Sequence, residues 1–118
     1  MNKKIYIFDD NEDILELCTM ILEEAGYVIK TSSTSNDIIG QVSGYMPDLI
    51  FMDNWLPDLG GIEATRMLKA CAALRHIPVI YFSANTDIRI LSEKAGADHF
   101  LAKPFNIQDL VQVAQNFA

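Results

Sequence analysis

The sequence predicts an α/β fold with one five-stranded parallel sheet and crossover helices, and two observations carry that expectation. Short apolar runs rich in β-branched and aromatic residues alternate five times with longer segments of helical period. Acidic, hydroxyl and ammonium side chains follow directly on four of those runs, at the carboxyl ends of strands where an open parallel sheet binds its ligands.

The first run, Lys4 to Phe8, leads into Asp9-Asp10. Beyond it Ile14, Leu17, Cys18, Ile21 and Leu22 fall at i, i+3, i+4, i+7 and i+8, one face of a first helix that Gly26 ends. The second strand is Tyr27 to Thr31. A second helix from about Ser35 to Ser43 has only Ile38, Ile39 and Val42 on its apolar face, and Gly40 lowers its propensity by about 1 kcal/mol, so it is the weakest element. Gly44-Tyr45-Met46-Pro47 returns the chain to a third strand, Leu49 to Met52, because proline cannot continue a helix and restricts the residue before it. Ala64, Met67, Leu68 and Cys71 mark the sheet-facing side of a third helix, and His76-Ile77-Pro78 leads to the fourth strand, Val79 to Phe82. Asp98 to Ala102 forms the last strand, and Ile107, Leu110, Val111 and Ala114 the apolar face of the last helix.

A length of 118 residues, half of them hydrophobic, suits one compact domain over residues 1–118. The formal charge of −7 argues against direct binding to nucleic acid or anionic membrane, so the expected partners are proteins or cations. Cys18 and Cys71 lie at apolar helical positions with no C-x-x-C pair, and are read as reduced core thiols. No run approaches the roughly 18 apolar residues of a membrane span, and no signal-peptide pattern opens the chain, so a cytoplasmic location is expected.

The chemistry lies at the strand ends: Asp9-Asp10 after strand one, Asp53 after strand three, Ser83 after strand four, Lys103-Pro104 after strand five. Three ionised carboxylates about 5 Å apart, at an effective dielectric near 20, repel by roughly 3 kcal/mol per pair. A domain stable by roughly 5 to 15 kcal/mol must relieve that with a retained proton, with Lys103 or with a cation. Carboxylates with room for water suit Mg²⁺, which bridges protein oxygens to phosphate. Taken singly, Asp9-Asp10 reads as a helix cap, Asp53 as a turn residue and Lys103 as a solvated lysine. Their joint placement at successive strand ends is what chance does not readily supply.

Over its whole length the sequence resembles the receiver domain of two-component response regulators. Phe8-Asp9-Asp10 matches the acidic pair and Leu49-Ile50-Phe51-Met52-Asp53 the phosphoacceptor strand. Leu56-Pro57-Asp58-Leu59-Gly60-Gly61 is similar to the family's Met-Pro-x-x-(Asp/Asn)-Gly loop, Phe82-Ser83-Ala84 to its (Ser/Thr)-Ala switch, and Gly96 to Phe105 to its closing segment. The resemblance implies a doubly wound (βα)5 fold with strand order 2-1-3-4-5 and Asp53 as the nucleophile toward a phosphohistidine. It also implies Mg²⁺ on Asp9, Asp10, Asp53 and the backbone carbonyl of Trp55, with Lys103 and the Ser83 hydroxyl on the transferred group. Ser83 and Phe100 would form the switch, and Lys103-Pro104 a cis peptide. The implied partners are a sensor histidine kinase or histidine phosphotransfer protein, and an output protein or domain on the helix 4, strand 5 and helix 5 face. The chain would be no enzyme beyond promoting its own phosphorylation and dephosphorylation. It departs from the family pattern at Leu56 for Met, at Gly60 for Asp or Asn, and at Phe100, where a Tyr is frequent. Trp55 is read equally as a shield over the acyl phosphate or as a partner contact, and His76 and His99 as ordinary surface histidines.

Competing readings fare worse. A nucleotide or flavin binder needs a Gly- or Ser/Thr-rich phosphate loop after strand one, where Asp9 to Asp13 is acidic instead. A haloacid-dehalogenase-type phosphatase needs Asp-x-Asp there, and Asp10-Asn11-Glu12 stands in its place. A pseudo-receiver that binds partners without phosphorylation remains the alternative. With no output domain after the fifth helix, both a single-domain regulator and the receiver of a longer chain accommodate this sequence.

Overall fold

A computed structural model describes residues 2–118. Its strands are β1 (Lys4–Phe8), β2 (Val28–Ser32), β3 (Leu49–Asp53), β4 (Val79–Ser83) and β5 (His99–Ala102). The helices are α1 (Glu12–Glu24), α2 (Ile38–Tyr45), α3 (Gly61–Ala70), α4 (Ile88–Ala95) and α5 (Ile107–Phe117). Every pairing is parallel and the order is β2-β1-β3-β4-β5, the doubly wound arrangement expected.

Alternate strand residues feed two cores, because successive side chains point to opposite faces. Ile5, Ile7, Phe51 and Phe82 face α1 and α5, where Cys18, Leu22, Leu110 and Ala114 meet them. Tyr6, Phe8, Ile50 and Met52 face α2 and α3, against Ile38, Val42, Ala64 and Leu68. Tyr81 packs on Ile88 and Ala95 of α4. With β1, β3 and β4 covered on both faces, their middles carry only apolar and tyrosine side chains, and charged groups are left to the strand ends. The sheet order reverses at β1, which has β2 on one side and β3 on the other. The crevice between the ends of β1 and β3 is therefore the switch point of the fold.

The helical faces differ from expectation by about one residue. In α1, Leu15, Cys18, Ile21 and Leu22 are buried, whereas Leu17 is 42% exposed and Ile14 half-buried. In α5, Leu110, Val113 and Ala114 are buried and Ile107 is exposed; in α3, Ala64, Thr65 and Leu68 are buried and Met67 is exposed. Each helix carries apolar side chains around more than one stripe, so periodicity defines a helix while its rotation is set by the sheet it packs on. Cys18 is a buried free thiol, pushed up to about 12 mainly by burial. Cys71 caps the end of α3 and is only half-buried, so one of the two is a core thiol.

Helix α2 starts later than expected, at Ile38, because Thr34 and Ser35 are engaged elsewhere and Asp37 is the N-cap. The Asp37 carboxylate accepts the Gly40 N–H, and a Cβ at Gly40 would fall on that carboxylate, which accounts for glycine inside so short a helix.

The rotation of α1 has a measurable consequence. In urea denaturation, Leu15→Ala should cost about 2 to 5 kcal/mol, the usual range for a buried leucine. Leu17→Ala should cost less than about 1 kcal/mol, as a half-open position does. Equal losses would contradict the observed facing.

Candidate functional site

Four strand ends meet in one cleft of about 520 Å³, lined among others by Asp9, Asp10, Asp53, Trp55, Ser83 and Lys103. Asp53 closes β3 and is buried; Asp9 follows β1 and is buried beside the exposed Asp10. Helix α1 is capped by Asn11, whose side chain accepts the N–H groups of Asp13 and Ile14, so the acidic pair is not consumed as the cap. Ser83 closes β4 and is buried. Lys103 lies just past β5, where its N–H donates to the Ser83 carbonyl at 2.9 Å, and the Lys103-Pro104 peptide is cis.

The Lys103 ammonium donates to Asp9 Oδ2 at 2.5 Å and to Asp53 Oδ1 at 3.0 Å. The other oxygen of each carboxylate is held by backbone: Asp9 Oδ1 accepts the Asn11 N–H at 2.9 Å, and Asp53 Oδ2 the Trp55 N–H at 3.2 Å. Ser83 Oγ accepts the Asn85 N–H at 3.1 Å, which leaves its own proton to donate into the cleft. Carboxylate oxygens of Asp9, Asp10 and Asp53 lie within 4.8 Å of one another. Three carboxylates and one ammonium leave two negative charges, the complement of one divalent ion, and an all-oxygen donor set with one open, solvated member fits Mg²⁺.

Burial raises the Asp53 carboxyl above its ordinary value of 3.8; Lys103 opposes this, Asp9 adds to it, and the Trp55 N–H opposes it. Burial alone would lower Lys103, but its hydrogen bond to Asp9 and the charges of Asp53 and Asp9 outweigh that and leave it raised above 10.5. Both partners of one ion pair thus move upward. The shorter contact explains why: Lys103 is held first by Asp9, so Asp53 has only a share of its charge.

The remaining candidates separate. The Trp55 indole is 72% exposed at the cleft edge. Phe100 is half-buried against Tyr81 and Ile88, paired in register with Tyr81 while Ser83 pairs with Ala102. Ser83 and Phe100, the expected switch residues, therefore occupy adjacent strands but not the same cleft. His76 and His99 are both exposed, and His99 stacks on Phe117 at 5.4 Å.

Two contacts escaped the sequence. The Tyr81 hydroxyl donates to Asn54 Oδ1 beside Asp53, and the available signal was that a tyrosine in a doubly buried strand needs a partner for its hydroxyl. Ser35, fully buried, bonds the loop after β3 across 22 to 24 residues of sequence, and nothing local announces that. Gly61 is required at the foot of the same loop: its N–H donates to the Asn54 carbonyl at 3.0 Å, and a Cβ there would lie 2.1 Å from the Asp53 carbonyl oxygen.

Fold and site together define the receiver class of signalling domain. Residues 5–115 match the family model "Response regulator receiver domain", and the chain belongs to that family. It is 33% identical over 93% of its length to the alkaline phosphatase synthesis transcriptional regulatory protein PhoP of Bacillus subtilis, of which it spans less than half, 46%. To the polar-differentiation response regulator DivK of Brucella ovis it is 30% identical over 99% of its length, covering 97% of that protein. Among solved structures, a putative response regulator from Chloroflexus aurantiacus superposes with a TM-score of 0.93 at 27% identity, covering 99% of this chain and 98% of the other. The chemotaxis regulator CheY4 of Vibrio cholerae shares the fold at 22% identity, with a TM-score of 0.91 over the full length of both chains. The chain is thus a two-component receiver domain, a signalling domain rather than an ordinary enzyme; phosphoryl acceptance is typical of its family, and the phosphorylation-independent alternative is not favoured. Such domains interact with histidine kinases and output domains and generally bind Mg²⁺ in an acidic pocket. Among the described residues, no helix is long and apolar enough to cross a membrane.

The raised Asp53 carboxyl sets a pH dependence for the metal-free protein. A carboxyl raised by folding stabilises the fold in its protonated form, fully below 3.8, and that contribution is lost as pH climbs through the raised value. Asp53→Asn cannot lose it. In EDTA the variant should therefore melt above wild type at pH 7, with the gap closing toward pH 3.8; Lys103, raised above 10.5, does not titrate in this window. A gap independent of pH would contradict the electrostatic account.

Proposed function

We propose that Asp53 accepts the phosphoryl group, from a phosphohistidine on a sensor histidine kinase or histidine phosphotransfer protein. The observation that carries this is the Lys103 ammonium bridging Asp9 and Asp53 at 2.5 and 3.0 Å, in a cleft that also holds Asp10 and Ser83. A carboxylate oxygen of Asp53 attacks phosphorus, the P–N bond breaks, and the imidazole leaves with the electron pair. Asp9, Asp10, Asp53 and the Trp55 carbonyl would hold Mg²⁺, Asp9 mainly through water, and the ion would supply positive charge to offset that on the phosphoryl oxygens. Lys103 then turns from Asp53 to a phosphoryl oxygen, and the Ser83 hydroxyl donates to another. The protein promotes its own phosphorylation, and water later removes the group. Drawing Ser83 inward biases Phe100 toward burial and alters the α4, β5 and α5 face, where an output protein or domain binds. The setting is cytoplasmic.

Acetyl phosphate with Mg²⁺ should add one phosphoryl group, labile to hydroxylamine as an acyl phosphate is. Asp53→Asn should take up none; labelling equal to wild type, or a hydroxylamine-stable product, would remove the assignment. Beryllofluoride with Mg²⁺ should change the emission of Trp55, the only tryptophan, in wild type and not in Asp53→Asn. Phe100→Ala should keep that emission change yet weaken the gain in output-partner affinity on phosphorylation, and an unaltered gain would refute the aromatic coupling alone.

Metal binding to the native state only adds RT ln(1 + [L]/Kd), about 1.4 kcal/mol at ten times Kd. Mg²⁺ should raise the wild-type Tm accordingly. Asp10→Asn should be more stable than wild type without metal and unresponsive to it. An unchanged wild-type Tm in excess Mg²⁺ would count against the ligand set.

A further inference from the structure

We propose that residues 32–35, the strap running from the last residue of β2 toward α2, set the spacing of the Mg²⁺ ligands from outside the site, with Ser35 as the positioning residue. The proposal rests on the ligand set given above, in which the acidic pair and the Trp55 carbonyl come from separate strands. The β1–β3 register ends at Phe8 opposite Met52, so Asp9-Asp10 and the loop after Asp53 both lie beyond the last ladder pair. The β1–β3 ladder thus does not fix their separation by itself, and the Lys103 bridge holds the Asp9 and Asp53 carboxylates but not the Trp55 carbonyl.

The strap touches both segments. At one end the Ser32 carbonyl accepts the Asp9 N–H at 3.1 Å. At the other, Ser35 Oγ accepts the Leu59 N–H at 2.7 Å and lies 2.5 Å from the Leu59 carbonyl and 2.9 Å from that of Pro57. The Ser35 N–H also donates to the Pro57 carbonyl at 3.3 Å. A hydroxyl has one proton, so Ser35 donates to one of the two carbonyls while it accepts the Leu59 N–H, and it is fully buried while doing so. Between the ends, Ser32 Oγ donates to the Thr34 carbonyl at 2.9 Å, and Thr34 Oγ1 donates to Asp58 Oδ2 at 2.5 Å. Asp58 holds φ at 77°, a region non-glycine residues seldom occupy, and the Thr34 hydroxyl secures it there. The foot of the loop is closed by Gly61 N–H on the Asn54 carbonyl. Trp55 thus sits between a pinned foot and a pinned tip.

Such rigidity matters for one ion more than another. Mg²⁺ demands near-octahedral oxygens at about 2.1 Å, whereas Ca²⁺ accepts six to eight ligands at about 2.3 to 2.6 Å in flexible geometry. Releasing the strap lets the loop sample arrangements unfit for Mg²⁺. If the competent arrangement falls to about a tenth of the population, the apparent Kd rises about tenfold.

The test titrates the full chain with MgCl₂ and with CaCl₂ by calorimetry, with Trp55 emission as a second readout, in wild type, Ser35→Ala and Thr34→Val. Ser35→Ala should raise the Mg²⁺ Kd about tenfold while the Ca²⁺ Kd rises less than about threefold. Thr34→Val should move both in the same sense by less. Should Ser35→Ala fail to fold by circular dichroism, Thr34→Val, at a partly open site, decides the matter alone. A wild-type Mg²⁺ Kd in the folded variant, or equal losses for both ions, would overturn the strap and leave the ligand set standing. A wild-type chain that binds no Mg²⁺ would overturn the ligand set, and the strap with it.

Discussion

The Lys103 ammonium between two buried carboxylates is the interaction on which the rest of the site depends. Without it, Asp9 and Asp53 would be negative groups sharing a crevice with Asp10, and each pair would cost roughly 3 kcal/mol at 5 Å. With it, the site is still two charges short of neutral, a state that water can tolerate at the open Asp10 but that a divalent cation satisfies better. The same lysine bears on the nucleophilic role proposed for Asp53. A nucleophile wholly claimed by a counter-charge would be a poor one, and here the closer contact is to Asp9. Asp53 stays buried and partly compensated in the wall of the cleft.

Topology makes this concentration possible. In a sheet ordered β2-β1-β3-β4-β5, the helices after β1 and β3 leave for opposite faces, and a crevice opens between their departure points. Residues immediately after those strands enter the crevice without any long loop to order. The largely apolar strands supply the complement, because the one polar group on the middle of β1 or β3, the Tyr6 hydroxyl, is taken up by Gln41 and does not compete for Lys103 or for a cation. Gly61 belongs to the same economy of space, since α3 starts so close under Asp53 that no side chain fits there.

How much of this was legible follows from the range of each interaction. Strand and helix existence, the parallel sheet and the convergence of Asp9, Asp10, Asp53, Ser83 and Lys103 were readable, because pattern and strand ends are local properties whose meeting place the topology dictates. The rotation of α1 was not: Ile14, Leu15, Leu17, Cys18, Ile21 and Leu22 span more than one stripe, and only the sheet selects among them. The start of α2 was missed for a related reason. Ser35 is a plausible helix residue by propensity, but its hydroxyl is worth more bridging Pro57 and Leu59 than extending a helix by one turn. The Tyr81 to Asn54 contact was hidden likewise, since a strand tyrosine declares the need for a partner without naming one.

These hidden contacts bear on how a charge change at Asp53 could travel. Ser83 and Tyr81 stand two residues apart on β4, and each is tied to a different neighbour: Ser83 to the Lys103 backbone, Tyr81 to Asn54 through its hydroxyl and to Phe100 through the strand register. On the proposed chemistry, a phosphoryl group on Asp53 draws the Ser83 hydroxyl and the Lys103 ammonium toward the same point. β4 and β5 are then pulled together from their ends, while Tyr81 is restrained by Asn54 on the β3 side. The apolar packing of Tyr81, Ile88 and Phe100 lies between those two restraints, at the seam of β4, β5 and α4. Close-packed side chains do not deform smoothly, so a small displacement of the strand ends is relieved by a rotamer change in that seam. Phe100, half-buried and without a hydroxyl to anchor it, is the member of the cluster with the least to lose by turning.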